Sequence, residues 1–192
     1  IEFDNVLNHP SARILDKTNA FLSKADIYVD LGEYSRAINE ADMGIALMPD
    51  WPAGYIIKGR AYYSNDLWEV AISNLETAYS LFDPDLDPYD IRGYMDMSGR
   101  AYHELQNYDK SIEDYTEFIN YKREIGDKNL TYTEALSWRT QSHYYLGNYE
   151  EAIQDSTEFV NYMISNGLIY KKALDWRALS HHNLGNYEEA VQ

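Results

Sequence analysis

Two histidines that lie 38 residues apart in similar surroundings are the first candidates for chemistry in this chain. His143 and His181 each fall in a predicted helix, with His103 and His182 in helices of the same type. A metal site needs three or four converging ligands and a second shell that orients them. Tyrosines take the corresponding places earlier in the chain, which favours a packing role. We therefore predict no metal site.

An acidic run, Asp83-x-Asp85-x-Asp87, has the spacing of the first ligands of a calcium loop. Such a loop also needs glycine at its sixth position and a bidentate glutamate at its twelfth, where this chain has Pro88 and Tyr94. We predict an acidic loop in which Asp87 caps the next helix. No nucleophile elbow, glycine-rich phosphate loop or H-E-x-x-H motif is present. We therefore predict a protein that is not an enzyme and binds no cofactor.

The charge of the chain limits its partners. Of its 192 residues, 16 are basic and 32 acidic, which gives a net charge of −16. This field repels phosphate backbones and attracts cationic proteins, so we expect a protein or peptide partner and no nucleic acid. No apolar run approaches the roughly 20 residues that span a bilayer, so membrane insertion is not expected. The absence of cysteine excludes disulfides and thiolate sites and leaves the compartment open.

An internal repeat organises the C-terminal part of the chain. Residues 135–153 and 173–191 are identical at 13 of 19 positions, at an offset of 38. The repeated core is Leu-Gly-Asn-Tyr-Glu-Glu-Ala, at residues 146–152 and 184–190. A fixed period in this range indicates a stack of supersecondary units.

The same pattern extends over the rest of the chain. An aromatic residue begins each predicted second helix, at Tyr34, Trp68, Tyr108, Tyr149 and Tyr187. A small residue follows three positions later, at Ala37, Ala71, Ser111, Ala152 and Ala190. Six residues before the aromatic lie Tyr28, Tyr62, Tyr102, His143 and His181, and nine before it lie Ala25, Gly59, Gly99, Thr140 and Ala178. This pattern resembles the tetratricopeptide repeat family, whose unit is a helix–turn–helix of about 34 residues.

The resemblance implies an all-α, right-handed superhelical solenoid of antiparallel helix pairs. We predict a single array over residues 1–192, with repeats at about 18–51, 52–85, 92–125, 133–166 and 171–192. The last repeat is incomplete, and residues 1–10 are predicted to be the tail of a preceding helix. Because neither end carries a polar capping surface, we expect a longer array and end-to-end self-association.

Local signals predict where helices begin and end. Thr131 and Glu134 have the spacing of a capping box. Glycines that end a helix lie two residues before three of the aromatic positions, at Gly32, Gly147 and Gly185. Asp66 and Gln106 replace this glycine in the second and third repeats. Arg139 is predicted to pack its stem and to pair with an acidic side chain, as is Arg177.

In the resembling family the first helices line the concave surface, and residues three and four apart share that face. The residues that we predict to bind a partner are Arg60, Tyr63, Arg100, Trp138, Gln141, Tyr145, Trp176 and Leu179. The rings would contact apolar side chains, and the two arginines would hold an acidic group. The alternative is that Trp138 and Trp176 pack between repeats.

We predict a non-catalytic interaction module or scaffold that binds a peptide or protein segment in its concave groove. The alternative is a regulatory or sensor domain of a larger protein that binds a small ligand or a signal peptide. Some family members bind acidic chaperone C-termini through a lysine–asparagine clamp. That clamp is absent here, because the matching places hold Leu22, Asp26, Ile57, Gly93 and Met97.

Overall fold

A computed structural model describes residues 2–83, 91–168 and 171–191, and within these ranges the chain forms ten α-helices and no β-strand. The helices are α1 (Glu2–Asn8), α2 (Ile14–Asp30), α3 (Tyr34–Leu47), α4 (Pro52–Tyr63), α5 (Trp68–Leu81), α6 (Met95–Glu104), α7 (Tyr108–Glu124), α8 (Leu130–Leu146), α9 (Tyr149–Ser165) and α10 (Lys171–Asn183). Short 3-10 helices cover Ile91–Tyr94 and Glu189–Val191. The predicted all-α fold of paired helices is confirmed.

The second helices begin where the aromatic pattern predicts. Helices α3, α5, α7 and α9 start at Tyr34, Trp68, Tyr108 and Tyr149. The small residue three positions later is fully buried in each of these helices, at Ala37, Ala71, Ser111 and Ala152. The aromatic and small positions therefore mark the start of the second helix and its contact with the first.

The turn before each second helix contains a residue with positive φ. Gly32 and Gly147 have φ values of 74° and 81°, a conformation that glycine adopts without steric cost. Asp66 and Gln106 take the same turn with φ values of 56° and 60°. A left-handed conformation places Cβ close to the following carbonyl oxygen, so these two turns carry strain that the glycine turns lack.

The chain divides into two compact units, residues 1–97 and 98–192, and the division falls within α6. In unit 1, α2 packs against α3, α4 against α5, and α3 against α4. The approach of α4 to α5 is close, since a Cβ added at Gly59 would lie 3.0 Å from the Leu75 side chain. Val29, Ala37 and Ala61 form a buried cluster between the helix pairs.

In unit 2, α7 packs against α8, α8 against α9, and α9 against α10. The core includes Tyr115, Phe118, Ile119, Tyr132 and Leu136, all fully buried. Large rings therefore fill the interior of unit 2, and the small residues at the starts of α7 and α9 allow the helices to approach.

A polar contact joins the first and second helices of the α8–α9 pair. The Nε and Nη2 atoms of Arg139 donate to the two carboxylate oxygens of Asp155, at 2.8 and 2.6 Å. Both side chains are buried, with about a tenth or less of their surface exposed. The predicted pairing of Arg139 is confirmed. Lys24 and Glu40 make the corresponding ion pair in α2–α3, at 2.9 Å.

The α6–α7 pair has a serine where α8–α9 has the arginine. Ser98 and Asp114 have the same separation of 16 residues as Arg139 and Asp155. Asp114 is buried and has a hydrogen bond from Ser98, but burial outweighs that bond and raises the pKa of the Asp114 carboxyl to about 6. A buried carboxylate therefore lies in α7 with a hydroxyl in place of the cation.

The start of α8 differs from the prediction. The prediction of a capping box at Thr131 and Glu134 is wrong. Helix α8 begins at Leu130 and is capped by Asn129, whose Oδ1 accepts from the Tyr132 amide at 3.3 Å and from the Thr131 hydroxyl at 2.6 Å. Asparagine caps a free amide at least as well as threonine, so the earlier residue takes that position.

The predicted helix from Tyr187 onward is also wrong, because the described residues there form the 3-10 helix Glu189–Val191. The predicted cap at Asp87 and the acidic positions 85 and 87 lie outside the described residues. The five repeat boundaries stay a prediction.

Candidate functional site

Partly exposed aromatic side chains of three first helices, α6, α8 and α10, form a continuous surface in unit 2. The ring centroids of Trp138 and His103 are 5.1 Å apart, those of His103 and Tyr145 are 5.9 Å apart, and those of Tyr145 and Trp176 are 5.9 Å apart. Tyr145 also stacks on Tyr108 of α7 at 5.0 Å. We call this set the ring surface and define it as His103, Tyr108, Trp138, Tyr144, Tyr145 and Trp176.

Hydrogen bonds hold the ring surface in place. His103 Nδ1 lies 2.8 Å from the hydroxyl of Ser142, which is itself 3.0 Å from the hydroxyl of Ser111. At the other end, Asn183 Nδ2 donates to the Tyr144 hydroxyl at 3.1 Å. Rings that are already positioned lose little conformational entropy when a partner contacts them.

The structure brings most of the predicted residues of unit 2 to this surface. The guanidinium carbon of Arg100 lies 4.7 Å from the ring centroid of Trp138, a cation–π geometry. Tyr145 is 52% exposed and Leu179, three residues after Trp176, is 43% exposed. Trp138 and Trp176 are both partly buried, so each side chain keeps part of its surface exposed.

Gln141 is placed differently from the other predicted residues. Its side chain is 6% exposed, and its amide donates to the Ser137 carbonyl of the same helix at 3.1 Å. A buried amide that is already bonded to its own helix offers nothing to a partner. We leave Gln141 out of the ring surface.

Unit 1 contains the other two predicted residues and a groove of about 550 Å³. Arg60 lies at the groove, where its Nη1 is 2.8 Å from Asp26 and its Nη2 is 2.9 Å from Asp30. Tyr63 contacts the ring of Trp68 at 5.4 Å. The residues that line this unit 1 groove are Leu15, Asn19, Leu22, Ser23, Asp26, Trp51, Ala53, Ile56, Ile57, Arg60 and Tyr94.

His143 and His181 are partly buried at the position that holds tyrosine in the other repeats. Burial lowers the pKa of His143, so its imidazole favours the neutral form. Across the described ranges, no group of three or more histidine, aspartate or glutamate side chains could hold a metal ion. The helices described are also each too short or too polar to cross a membrane.

His103, Tyr108 and Tyr144 belong to the ring surface but were not predicted as partner-binding. A signal for them exists in the sequence, because an aromatic or histidine side chain lies five residues before four of the aromatic positions. These pairs have ring centroids 5.3 to 5.5 Å apart: Tyr63 with Trp68, His103 with Tyr108, Tyr144 with Tyr149, and His182 with Tyr187. Tyr108 begins a second helix, so it lies outside the first-helix positions that the family pattern assigns to the concave surface.

These features define a helix–turn–helix repeat protein. They are the paired helices, the aromatic and small positions between them, and the exposed rings on the first helices. Residues 93–125 match the sequence pattern of the tetratricopeptide repeat. The predicted resemblance is thereby confirmed, and the chain has the tetratricopeptide repeat fold. No curated protein sequence matches the chain.

Solved structures agree with this fold. YrrB, described as a tetratricopeptide repeat protein with an unusual peptide-binding site, superposes with a TM-score of 0.80 at 14% identity, over 100% of this chain and 88% of that one. The MamA protein superposes with a TM-score of 0.73 at 18% identity, over 91% of this chain and 86% of that one. At such identities the likeness concerns the fold alone.

Proposed function

We propose that this chain is a non-catalytic interaction module that binds a peptide or protein segment on the ring surface of unit 2. The observation that carries the proposal is the unbroken series of ring contacts from Trp138 through His103 and Tyr145 to Trp176, all of them partly exposed. Proteins with tetratricopeptide repeats are generally non-catalytic scaffolds. YrrB, which has a similar fold, is described as having a peptide-binding site, and this supports the proposal.

The side chains of the ring surface suit the energetics of protein recognition. Interfaces concentrate their energy in a few tryptophan, tyrosine and arginine anchors, because these present large rigid areas with a polar tip. Tyr145 is central, since its ring contacts His103, Tyr108, Tyr144 and Trp176 while half of its surface stays exposed. An apolar side chain of a partner would cover this exposed ring and displace water from it.

Polar groups lie at both ends of the rings. Arg100 lies over Trp138 at one end, and Asn183 bonded to Tyr144 lies at the other. An extended segment carries a backbone donor and acceptor at each residue, and these need partners when they are buried. The proposed ligand is therefore a segment with apolar side chains over the rings and a backbone that meets these polar groups.

A selection experiment tests this proposal. The whole chain is immobilised and used to select from a displayed library of short random peptides. Peptides rich in apolar or aromatic residues should be enriched, and Tyr145→Ala should weaken their binding by roughly tenfold or more. Tyr79→Ala is the matched control, because Tyr79 is 46% exposed on α5 and lies outside the ring surface.

Two outcomes of the selection would contradict the proposal. Peptides that bind the wild type and the Tyr145→Ala variant equally well, or a library from which nothing is enriched, would contradict binding on the ring surface. Thermal melting should show that both tyrosine variants are folded at the temperature of the binding assay, so a loss of binding cannot be attributed to unfolding.

A further inference from the structure

We infer that the unit 1 groove is a second docking site, for an extended protein segment that carries apolar side chains next to a lysine or arginine. The inference rests on the proposed function, that the chain binds protein segments, and adds a separate site with its own partner chemistry. It follows from three properties of the groove: its apolar floor, its polar wall and the charge at one end.

The floor of the groove is apolar and is the right size for side chains of a partner. Leu15, Trp51, Ile57 and Tyr94 line it, and Leu15 is 42% exposed. Its volume of about 550 Å³ falls within the range of roughly 300–1,000 Å³ typical of ligand pockets. Apolar side chains that enter such a groove release water from both surfaces.

One wall of the groove is polar. Asn19, Ser23 and Asp26 follow one another along α2 at spacings of four and three residues, so they share one face of that helix. Asn19 and Ser23 are exposed and offer an amide and a hydroxyl. These groups can bond to the backbone of an extended segment, whose amide and carbonyl groups need partners once water is displaced.

The charge at one end of the groove favours a cation. Asp26 and Asp30 both bind the guanidinium of Arg60, at 2.8 and 2.9 Å, so two carboxylates share one positive charge. The Asp26 and Asp30 side chains are 45% and 74% exposed, which leaves room for a second cation. Arg60 is the one basic residue among those that line the groove.

Unit 1 as a whole is also negatively charged, like the end of the groove. Residues 1–97 contain 7 basic and 17 acidic residues, a net charge of −10. This field attracts a lysine or arginine of a partner and repels an acidic segment. It also repels a second copy of this chain, whose own net charge is −16. A basic and apolar segment of another protein is therefore the occupant that the groove fits.

The test reverses the charge at the end of the groove. Replacing Asp26→Asn and Asp30→Asn together leaves Arg60 alone, so the local charge changes from −1 to +1. From a displayed library of short random peptides, the wild type should enrich sequences with lysine or arginine beside apolar residues. The double variant should bind those peptides roughly threefold to tenfold more weakly and should itself enrich aspartate or glutamate.

Two further variants make the result specific. Glu69→Gln with Glu150→Gln removes the same total charge at exposed positions outside the groove, and it should leave the selected peptides unchanged. Leu15→Ser removes an exposed part of the apolar floor and should weaken the same peptides without a change of charge. Thermal melting of each variant verifies that it is folded.

Several outcomes overturn the inference. Acidic or uncharged peptides that the wild type selects and that Tyr145→Ala still binds would do so, as would basic peptides bound equally well by the Asp26/Asp30 variant. Self-association that is lost in that variant would identify a second copy as the occupant instead. If the selected peptides are lost in Tyr145→Ala but kept in the Asp26/Asp30 variant, the proposed function stands and the second site does not. If no variant and no wild-type protein selects any peptide, both fail.

Discussion

The helix pairs α6–α7 and α8–α9 follow the same pattern 41 residues apart but differ in two details. In α8–α9, Arg139 neutralises the buried carboxylate of Asp155 with two hydrogen bonds. In α6–α7, Ser98 stands at the place of the arginine, and the pKa of Asp114 is raised to about 6 by burial. The second difference is the turn, where Gln106 adopts the positive φ that Gly147 adopts in the later pair.

This difference separates what defines the fold from what only stabilises it. Both pairs keep the starting aromatic and the buried small residue, Tyr108 with Ser111 and Tyr149 with Ala152. Both form second helices of 17 residues. The helix pair therefore forms without the ion pair and the turn glycine, which can be lost at a cost in free energy.

The largest effect is expected from breaking the complete ion pair. Arg139→Ala would leave the carboxylate of Asp155 buried without a cation, which typically costs about 3–5 kcal/mol in the free energy of unfolding. Urea denaturation followed by circular dichroism measures this loss. Lys24→Ala is the comparison, because the Lys24 and Glu40 side chains are 20% and 15% exposed and water can partly replace the lysine.

The Arg139 prediction has its own control. The double variant Arg139→Ala with Asp155→Ala removes both charges and should be more stable than Arg139→Ala alone. Equal losses in Arg139→Ala and Lys24→Ala would show that burial does not distinguish the two ion pairs.

The next effect concerns the carboxylate of Asp114, which has a serine hydroxyl where Asp155 has an arginine. Its folded pKa of about 6 lies above the ordinary value of 3.8, so the ionised form is disfavoured by folding. Below about pH 3 the carboxyl is neutral in both states and costs nothing, and the full cost appears above about pH 7. That cost is at most about 3 kcal/mol, because raising a pKa by 1 on folding corresponds to about 1.36 kcal/mol.

Asp114→Asn should therefore raise the free energy of unfolding at pH 8, and the gain should vanish near about pH 3. Denaturation curves at several pH values measure the gain. Asp155→Asn is the matched control and should lower stability at pH 8, because it removes the partner of Arg139. A gain from Asp114→Asn that is the same at about pH 3 and pH 8 would contradict a raised pKa.

The smallest effect concerns the turn between α6 and α7. Gln106→Gly removes the strain that a side chain causes at a φ of 60°. Glycine also makes the unfolded chain more flexible, which offsets part of this gain, so we expect a net stabilisation of about 0.5–1 kcal/mol. The reverse change, Gly147→Gln, should destabilise the α8–α9 pair by a similar amount. Thermal melting measures both, and shifts of the same sign would disprove the role assigned to this position.

Much of the fold could be predicted because its signals are local and repeated. The starts of α3, α5, α7 and α9 followed from an aromatic residue and a small residue three positions later. The start of α8 did not, because Asn129 and Thr131 are both good caps and only the observed hydrogen bonds distinguish them. The turns at Asp66 and Gln106 show that a backbone conformation can persist after its most typical residue is replaced.

The candidate site could be predicted only in part, because it depends on contacts between helices. Spacings of three and four residues grouped Trp138 with Gln141 on one face of α8, but they could not show that the Gln141 amide bonds to its own helix. The same spacings placed Arg60 beside a groove without showing that Asp26 and Asp30 already bind it. Such contacts arise from the packing of separate helices and are not encoded in a single helix.

The most direct test of the ring surface compares binding and stability in one variant. For Trp176→Ala, the Kd for a peptide selected by the wild type and the free energy of unfolding are both measured. We predict a loss of about 2 kcal/mol or more in binding, roughly thirtyfold in Kd, because tryptophan anchors carry this much of an interface. The loss in unfolding free energy should stay below the roughly 3–5 kcal/mol expected for a tryptophan buried in a core. An unchanged Kd with a full core-sized loss of stability would contradict the account.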